Sequence, residues 1–144
     1  MAGKHVTAEA KMGAGFKTEC TVGAHTVVVD QPQALGGTDG GPTPLDYQLV
    51  ALAGCLCALG RIIAMQRRLE LRGMSVQLEA KLDTDALLGK QTDSRTGFQS
   101  IKAKVQIDAD LSDEEKEGLL HEIDQRCPIS DNLTNATELN ITLG

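Results

Sequence analysis

Aromatic residues are almost missing from this chain. Its 144 residues include two Phe, one Tyr and no Trp. A core must therefore be built from Leu, Val, Ile and Ala, and the stacking platforms that single-stranded nucleic acids require are absent. Positive charge is also short: 14 Lys and Arg stand against 20 Asp and Glu, for a net charge of −6. Such a chain repels a phosphate backbone, so nucleic acid is not an expected partner. The N-terminal stretch MAGKHVTAEAKMG has no apolar h-region, so no secretory leader is expected. The longest apolar run is interrupted by Asp46, Gln48 and Arg61 and is read as no membrane span. A cytoplasmic location follows as the expectation, with reduced thiols and any disulfide transient and catalytic. In that setting the Asn-x-Thr triplets at Asn132, Asn135 and Asn140 are chance matches rather than glycan sites.

At 41% hydrophobic and 24% charged residues, the chain is globular and large enough for one core. A single domain over residues 1–144 is expected, without internal repeats. Val6, Ala8, Ala10 and Met12 alternate before Gly13 to Gly15, and Thr18 to Val22 and Thr26 to Val29 flank a Gly23-Ala24-His25 turn. Three N-terminal strands are predicted, the last two as a hairpin. Residues 31–44, with four Gly and three Pro, can only be a loop, and at this length a functional one.

Leu45 to Leu69 (LDYQLVALAGCLCALGRIIAMQRRL) reads as a helix of about seven turns. It is apolar nearly all round until Arg67 and Arg68, which marks it as central rather than superficial. A small domain cannot surround such a helix alone, so a partner subunit is inferred. Val76 to Leu82 and Ile101 to Ile107 alternate as strands joined by polar residues 83–97. Ser112-Asp113-Glu114-Glu115 opens a helix burying Leu119, Leu120 and Ile123. A short helix from Cys127-Pro128 and a last strand over residues 137–143 complete an α+β order of βββ-α-ββ-α-α-β.

Chemistry centres on thiols. Cys127 stands before Pro128 at a predicted helix start, where unpaired N–H groups and partial positive charge favour a thiolate. Cys55 and Cys57 lie about 200° apart around the long helix, so only one can line a given site. Cys55 shares its face with Gln48, Ala51, Leu52, Leu59 and Ile62; Cys57 shares its own with Val50, Ala53, Gly60 and Ala64. Burial among apolar groups raises a thiol's pKa, so the residues alone leave both as core filler or reactive group. Cys20, beside a strand, reads as structural. His5, His25 and His121 are scattered and Cys-x-Cys within one helix suits no tetrahedral zinc site, so neither metal nor cofactor is expected. The glycines at 36 to 41 lack the Lys-Ser/Thr of a phosphate loop.

Two stretches, 72 residues apart at their cysteines, resemble the OsmC/Ohr family, of osmotically inducible and organic hydroperoxide resistance proteins. Gly40-Gly41-Pro42-Thr43-Pro44 leading into Gln48 to Cys55 is similar to the family's entry into its central helix. Cys127-Pro128-Ile129-Ser130 is similar to its second motif, and Arg72 to Val76 to the exit into the next strand. The likeness runs from about residue 36 to the C-terminus. It implies an OsmC-like fold in an intertwined homodimer around two long buried central helices. It further implies a thiol peroxidase acting chiefly on organic hydroperoxides, with Cys55 peroxidatic, Cys127 resolving and a lipoyl-type dithiol as reductant.

The chain departs from the hydroperoxide-resistance branch in the residues around the thiol. That branch carries an Arg in its first Gly-rich turn and a Glu after the helix-opening Pro. Here the turn reads Met12 to Lys17 without Arg, and Leu45 follows Pro44, with Asp46 next. Asp46 lies about 180° around the helix from Cys55, so it can support that thiol only across a dimer. Lys17 or Arg61 is left to supply the cation. The resemblance is therefore to the OsmC-like branches. The alternative function is a non-enzymatic dimer of the same fold that binds an apolar ligand or senses redox state.

Overall fold

The computed structural model describes residues 2–144, which divide into two compact units meeting in sequence after Val50. In the first, β1 (Glu9–Met12), β2 (Thr18–Val22) and β3 (His25–Val29) form an antiparallel sheet in the order β1-β2-β3. The tight β2–β3 turn is possible because Gly23 adopts a φ of 58°, a region open to glycine at no steric cost. β1 begins at Glu9 rather than Val6, which stays 67% exposed: the alternation is present, but β2 pairs only with Glu9 to Met12.

The chain then enters the predicted loop, which holds one short 3₁₀ turn, Gln33–Leu35. Its anchor is Asp30, a buried carboxylate that accepts hydrogen bonds from the backbone of Gln31, Thr38 and Gly40 and from the Thr38 hydroxyl. The backbone passes so close to itself that a Cβ on Gly41 would sit 2.3 Å from the Val28 carbonyl oxygen. Tyr47 donates its hydroxyl to that same carbonyl at 2.7 Å.

The predicted long helix forms as α1 (Pro44–Arg67). Its start is a reciprocal cap: Thr43 Oγ1 accepts from the Asp46 N–H, and the Asp46 carboxylate accepts from the Thr43 N–H and hydroxyl. In the second unit, α1 buries Leu52, Leu56, Gly60, Ile63 and Ala64, a stripe of spacing 4, 4, 3 and 1 along one face. That stripe packs with Leu71, Ile107 and Ala109 of the strands and Leu119 and Ile123 of the following helix in one cluster. Gly60 lets the Met74 side chain lie directly on the helix, since its sulfur would be 2.1 Å from a Cβ there. By length and apolarity α1 is also suited to cross a membrane, but its buried stripe serves as the packing face of this cluster. Val50, Ile62 and Met65 remain exposed.

β4 (Leu71–Lys81) and β5 (Ser100–Ala109) pair antiparallel and run longer than their alternation suggested. A bulge at Arg72 extends β4 past Gly73, and the Arg72 guanidinium bonds Asp108 and Asp110. The polar connection contains a one-turn helix, α2 (Thr84–Leu87), capped by Asp83; the Asp83 side chain accepting from the Asp85 N–H was the overlooked signal. α3 (Asp113–Arg126) opens with the predicted capping box between Ser112 and Glu115, and α4 (Pro128–Thr134) follows after one extended residue, Cys127.

One expected element is missing. Residues 137–143 form no strand, and Leu139, Ile141 and Leu143 are 78%, 86% and 102% exposed. A strand exists only by pairing, and no edge among the described residues takes the segment. The result is a mixed α+β fold with two antiparallel sheets and four helices among the described residues.

Candidate active site

Cys127 does two jobs at the α3–α4 corner. Its N–H closes α3 by donating to the Asp124 carbonyl at 3.1 Å, and its sulfur opens α4 by accepting from the Ser130 N–H at 3.3 Å. Pro128 at the first helical position needs no donor and favours the helical φ, which is why the break lasts one residue. With φ −82° and ψ 109°, Cys127 turns its side chain into the core, where it is 1% exposed.

There it meets Cys55. The Cys127 and Cys55 thiols share a hydrogen bond at a sulfur–sulfur distance of 3.0 Å, about 1 Å longer than a disulfide bond. Both are free thiols; Cys127 is buried and Cys55 half-buried, so Cys55 is the one that a solute reaches first. Burial pushes the Cys55 thiol above its ordinary value, the Cys127 hydrogen bond and its charge push it further, and the Ile129 N–H opposes them. In the first turn of α4, the Ile129 backbone is the one influence that lowers the Cys55 thiol, and the Ser130 N–H donates to the Cys127 sulfur. The residue pattern pointed to the second of these and missed the first. No local signal could have found it, because Ile129 and Cys55 are joined only by packing.

The end of α3 is tied to the end of α1. Glu122 pairs with both Arg67 and Arg126, and Arg126 also donates to Gln66 at 3.0 Å. These are surface contacts, individually weak, that link the last turn of α3 to the last turn of α1.

The three supporting candidates are engaged elsewhere or stand in the other unit. Asp46 caps its own helix through Thr43. Arg61 donates to the Leu71 carbonyl at 2.8 Å, holding the entry to β4. Lys17 is an exposed residue of the first unit just before β2, and forms no ion pair among the described residues. Cys57 is half-buried on α1, and Cys20 sits in β2 opposite Ala10 and Val27. Among the described residues no group of three or more His, Cys, Asp or Glu is placed to hold a metal ion.

Comparison with known proteins places this geometry in context. The profile of one family, OsmC-like protein, matches residues 37–142. No curated protein matches the chain. Among solved structures, an OsmC-like protein from Mycoplasma pneumoniae superposes with a TM-score of 0.80 at 19% identity, covering 92% of this chain and 89% of that one. An organic hydroperoxide resistance protein OsmC from Legionella pneumophila has a TM-score of 0.69 at 23% identity, covering 92% and 91%. An organic hydroperoxide resistance protein from Elizabethkingia anophelis has a TM-score of 0.69 at 17% identity, covering 91% and 89%. At these identities the structural likeness establishes the fold alone.

Proposed function

That the chain belongs to the OsmC-like protein family is the premise on which we propose a thiol peroxidase that reduces organic hydroperoxides through Cys55 and Cys127. The observation that carries this reading is the 3.0 Å approach of two free sulfurs from residues 72 positions apart. Cys55, the more exposed, attacks the terminal oxygen of the hydroperoxide; the O–O bond breaks, an alcohol leaves, and Cys55 becomes a sulfenic acid. Cys127 then attacks the Cys55 sulfur. The S–O bond breaks, the hydroxyl leaves as water with the Cys127 proton, and a disulfide remains. A dithiol of lipoyl type returns both thiols by exchange and is itself oxidised to a disulfide. The apolar cluster around Cys55 favours an alkyl substrate over hydrogen peroxide.

The acting unit under this proposal is a cytoplasmic homodimer serving oxidative stress defence. The exposed apolar residues of α1 and the unpaired 137–143 segment are surfaces that a second copy would cover. Lys17 or Arg61 is the cation proposed to favour the Cys55 thiolate, with Asp46 as a supporting carboxylate from across that interface. Sedimentation as a monomer at micromolar concentration would count against the dimer.

Consumption of cumene or t-butyl hydroperoxide with dihydrolipoamide or dithiothreitol is the test of the activity. Cys55→Ser should abolish turnover, and turnover unchanged in that variant would sink the reading. The raised Cys55 thiol favours a second one: a non-enzymatic dimer that binds an apolar ligand or senses redox state. A Cys55 no more reactive than free cysteine at neutral pH, together with a co-purifying apolar ligand, would support it.

A further inference from the structure

A ring of hydrogen bonds closes the corner that carries Cys127. The Asp124 carbonyl accepts from the Cys127 N–H, the Cys127 sulfur accepts from the Ser130 N–H, and the Ser130 hydroxyl donates back to the Asp124 carboxylate at 2.6 Å. We propose that Asp124 and Ser130 form a positioning clamp that holds Cys127 Sγ against Cys55 Sγ, and so sets how readily the two sulfurs join and part.

The need for such a clamp follows from the elements it joins. α4 has seven residues, too few to persist as an isolated helix, and one extended residue separates it from α3. The α3 side of the corner is fastened to α1 through Glu122, Arg67, Arg126 and Gln66. The α4 side rests on Ile129 and Leu133 against the core and on the Asp124–Ser130 bond. Apolar contacts resist separation but allow sliding, whereas a short hydrogen bond to an ionised acceptor fixes direction. Sliding α4 by a fraction of an ångström would move the Ser130 N–H relative to the Cys127 sulfur it serves, and that sulfur relative to Cys55. The plain alternative is that Ser130 and Asp124 are an ordinary partly exposed pair contributing only to stability. It differs in its consequences: a stabilising pair alters folding, while a clamp alters the joining of the sulfurs and leaves the chemistry of Cys55 alone.

The inference rests on the disulfide-forming role given to the pair, but its test does not require peroxidase activity. Two protein thiols and one glutathione disulfide give the intramolecular disulfide and two glutathione thiols. The whole protein, equilibrated in glutathione buffers and quenched by alkylation, therefore reports the effective concentration of Cys127 at Cys55. Ser130→Ala should lower that value about tenfold, a potential about 30 mV less negative. Ser130→Thr, which keeps the hydroxyl, should restore it to within about twofold. In a Cys127→Ser background, adding Ser130→Ala should leave the alkylation rate of Cys55 unchanged.

An unchanged effective concentration in Ser130→Ala, failure of Ser130→Thr to restore it, or a parallel fall in Cys55 alkylation would each overturn the clamp. Should Ser130→Ala not fold, Asp124→Asn keeps a neutral acceptor and should show a smaller fall; no fall there overturns the proposal as well. A wild-type protein that closes the disulfide in glutathione but turns over no hydroperoxide would sink the peroxidase reading and leave the clamp intact. A wild-type protein that closes no Cys55–Cys127 disulfide in any buffer would sink both.

Discussion

Asp30 in the first unit and Cys55 in the second are both acids withdrawn from water, and they shift in opposite directions. The Asp30 carboxyl is held down from 3.8 to about 2, because the Thr38 hydroxyl and the backbone of Gly40, Gln31 and Thr38 all donate to its charged form. The Cys55 thiol is pushed up, because burial and the neighbouring Cys127 outweigh the one Ile129 donor. Burial alone therefore does not decide the sign; the number of donors aimed at the charged form does. The contrast suits the two regions. A carboxylate that never changes state can serve as a fixed post for a loop, while a thiol held neutral keeps its proton until something reacts with it.

The largest effect expected from disturbing this contrast comes from the loop rather than from its acid. Gly41→Ala would drive a Cβ to 2.3 Å from a backbone oxygen that cannot move aside, so a loss of about 3 kcal/mol in denaturant unfolding is predicted. A loss under about 0.5 kcal/mol would mean that the Asp30 loop is far softer than its close approaches imply.

Acid should come next. The folded value of Asp30 lies below its ordinary one, so the stability it contributes is complete above about 3.8 and is lost as pH falls toward about 2. Amide exchange at Thr38 and Gly40 should quicken over that window in the wild type, while Asp30→Asn should exchange quickly at every pH. Loop exchange in the wild type that ignores pH between these values would refute the role of the charge. Cys55 works at the opposite end: its folded value is raised, so its contribution is complete below the ordinary 9.0 and is lost as pH rises through the raised value.

Cys127→Ala sharpens the thiol side. It removes two of the three causes that raise Cys55, the hydrogen bond and the charge of Cys127, and leaves burial and the lowering by Ile129, so the Cys55 thiol should titrate lower than in the wild type. The pH dependence of iodoacetamide alkylation measures this, and an upward move would show that the pair is not coupled as described. The smallest effect is expected for Gly60→Ala. There the obstructing atom belongs to the flexible Met74 side chain, which can swing away, so the loss should stay under about 1 kcal/mol. Thermal unfolding decides it.

Much of the fold was legible along the chain because its signals are local. Two runs flanking the Gly23 turn marked β2 and β3, the unbroken apolar run marked α1, and the Ser112 to Glu115 box marked the start of α3. The resemblance carried by Gly40 to Cys55 and Cys127 to Ser130 agrees with the family match over residues 37–142. Alternation over residues 137–143 was equally plain yet produced no strand, since alternation describes one face of a strand and says nothing of the edge it needs. The weight of Asp30 was also hidden. Its partners Thr38 and Gly40 lie 8 and 10 residues on, beyond the reach of a turn signal.

By itself the sequence determined that Cys127 would cap a short helix, since Pro128 and the Ser130 N–H lie within three residues of it. It also determined that Cys55 would stand in an apolar wall, since the turns of α1 around it carry almost no charge. Only the tertiary structure decided that the two sulfurs meet at 3.0 Å. Capping and periodicity act over one or two turns of chain, whereas a contact spanning 72 residues exists only once α1 and the α3–α4 corner are packed into the same core.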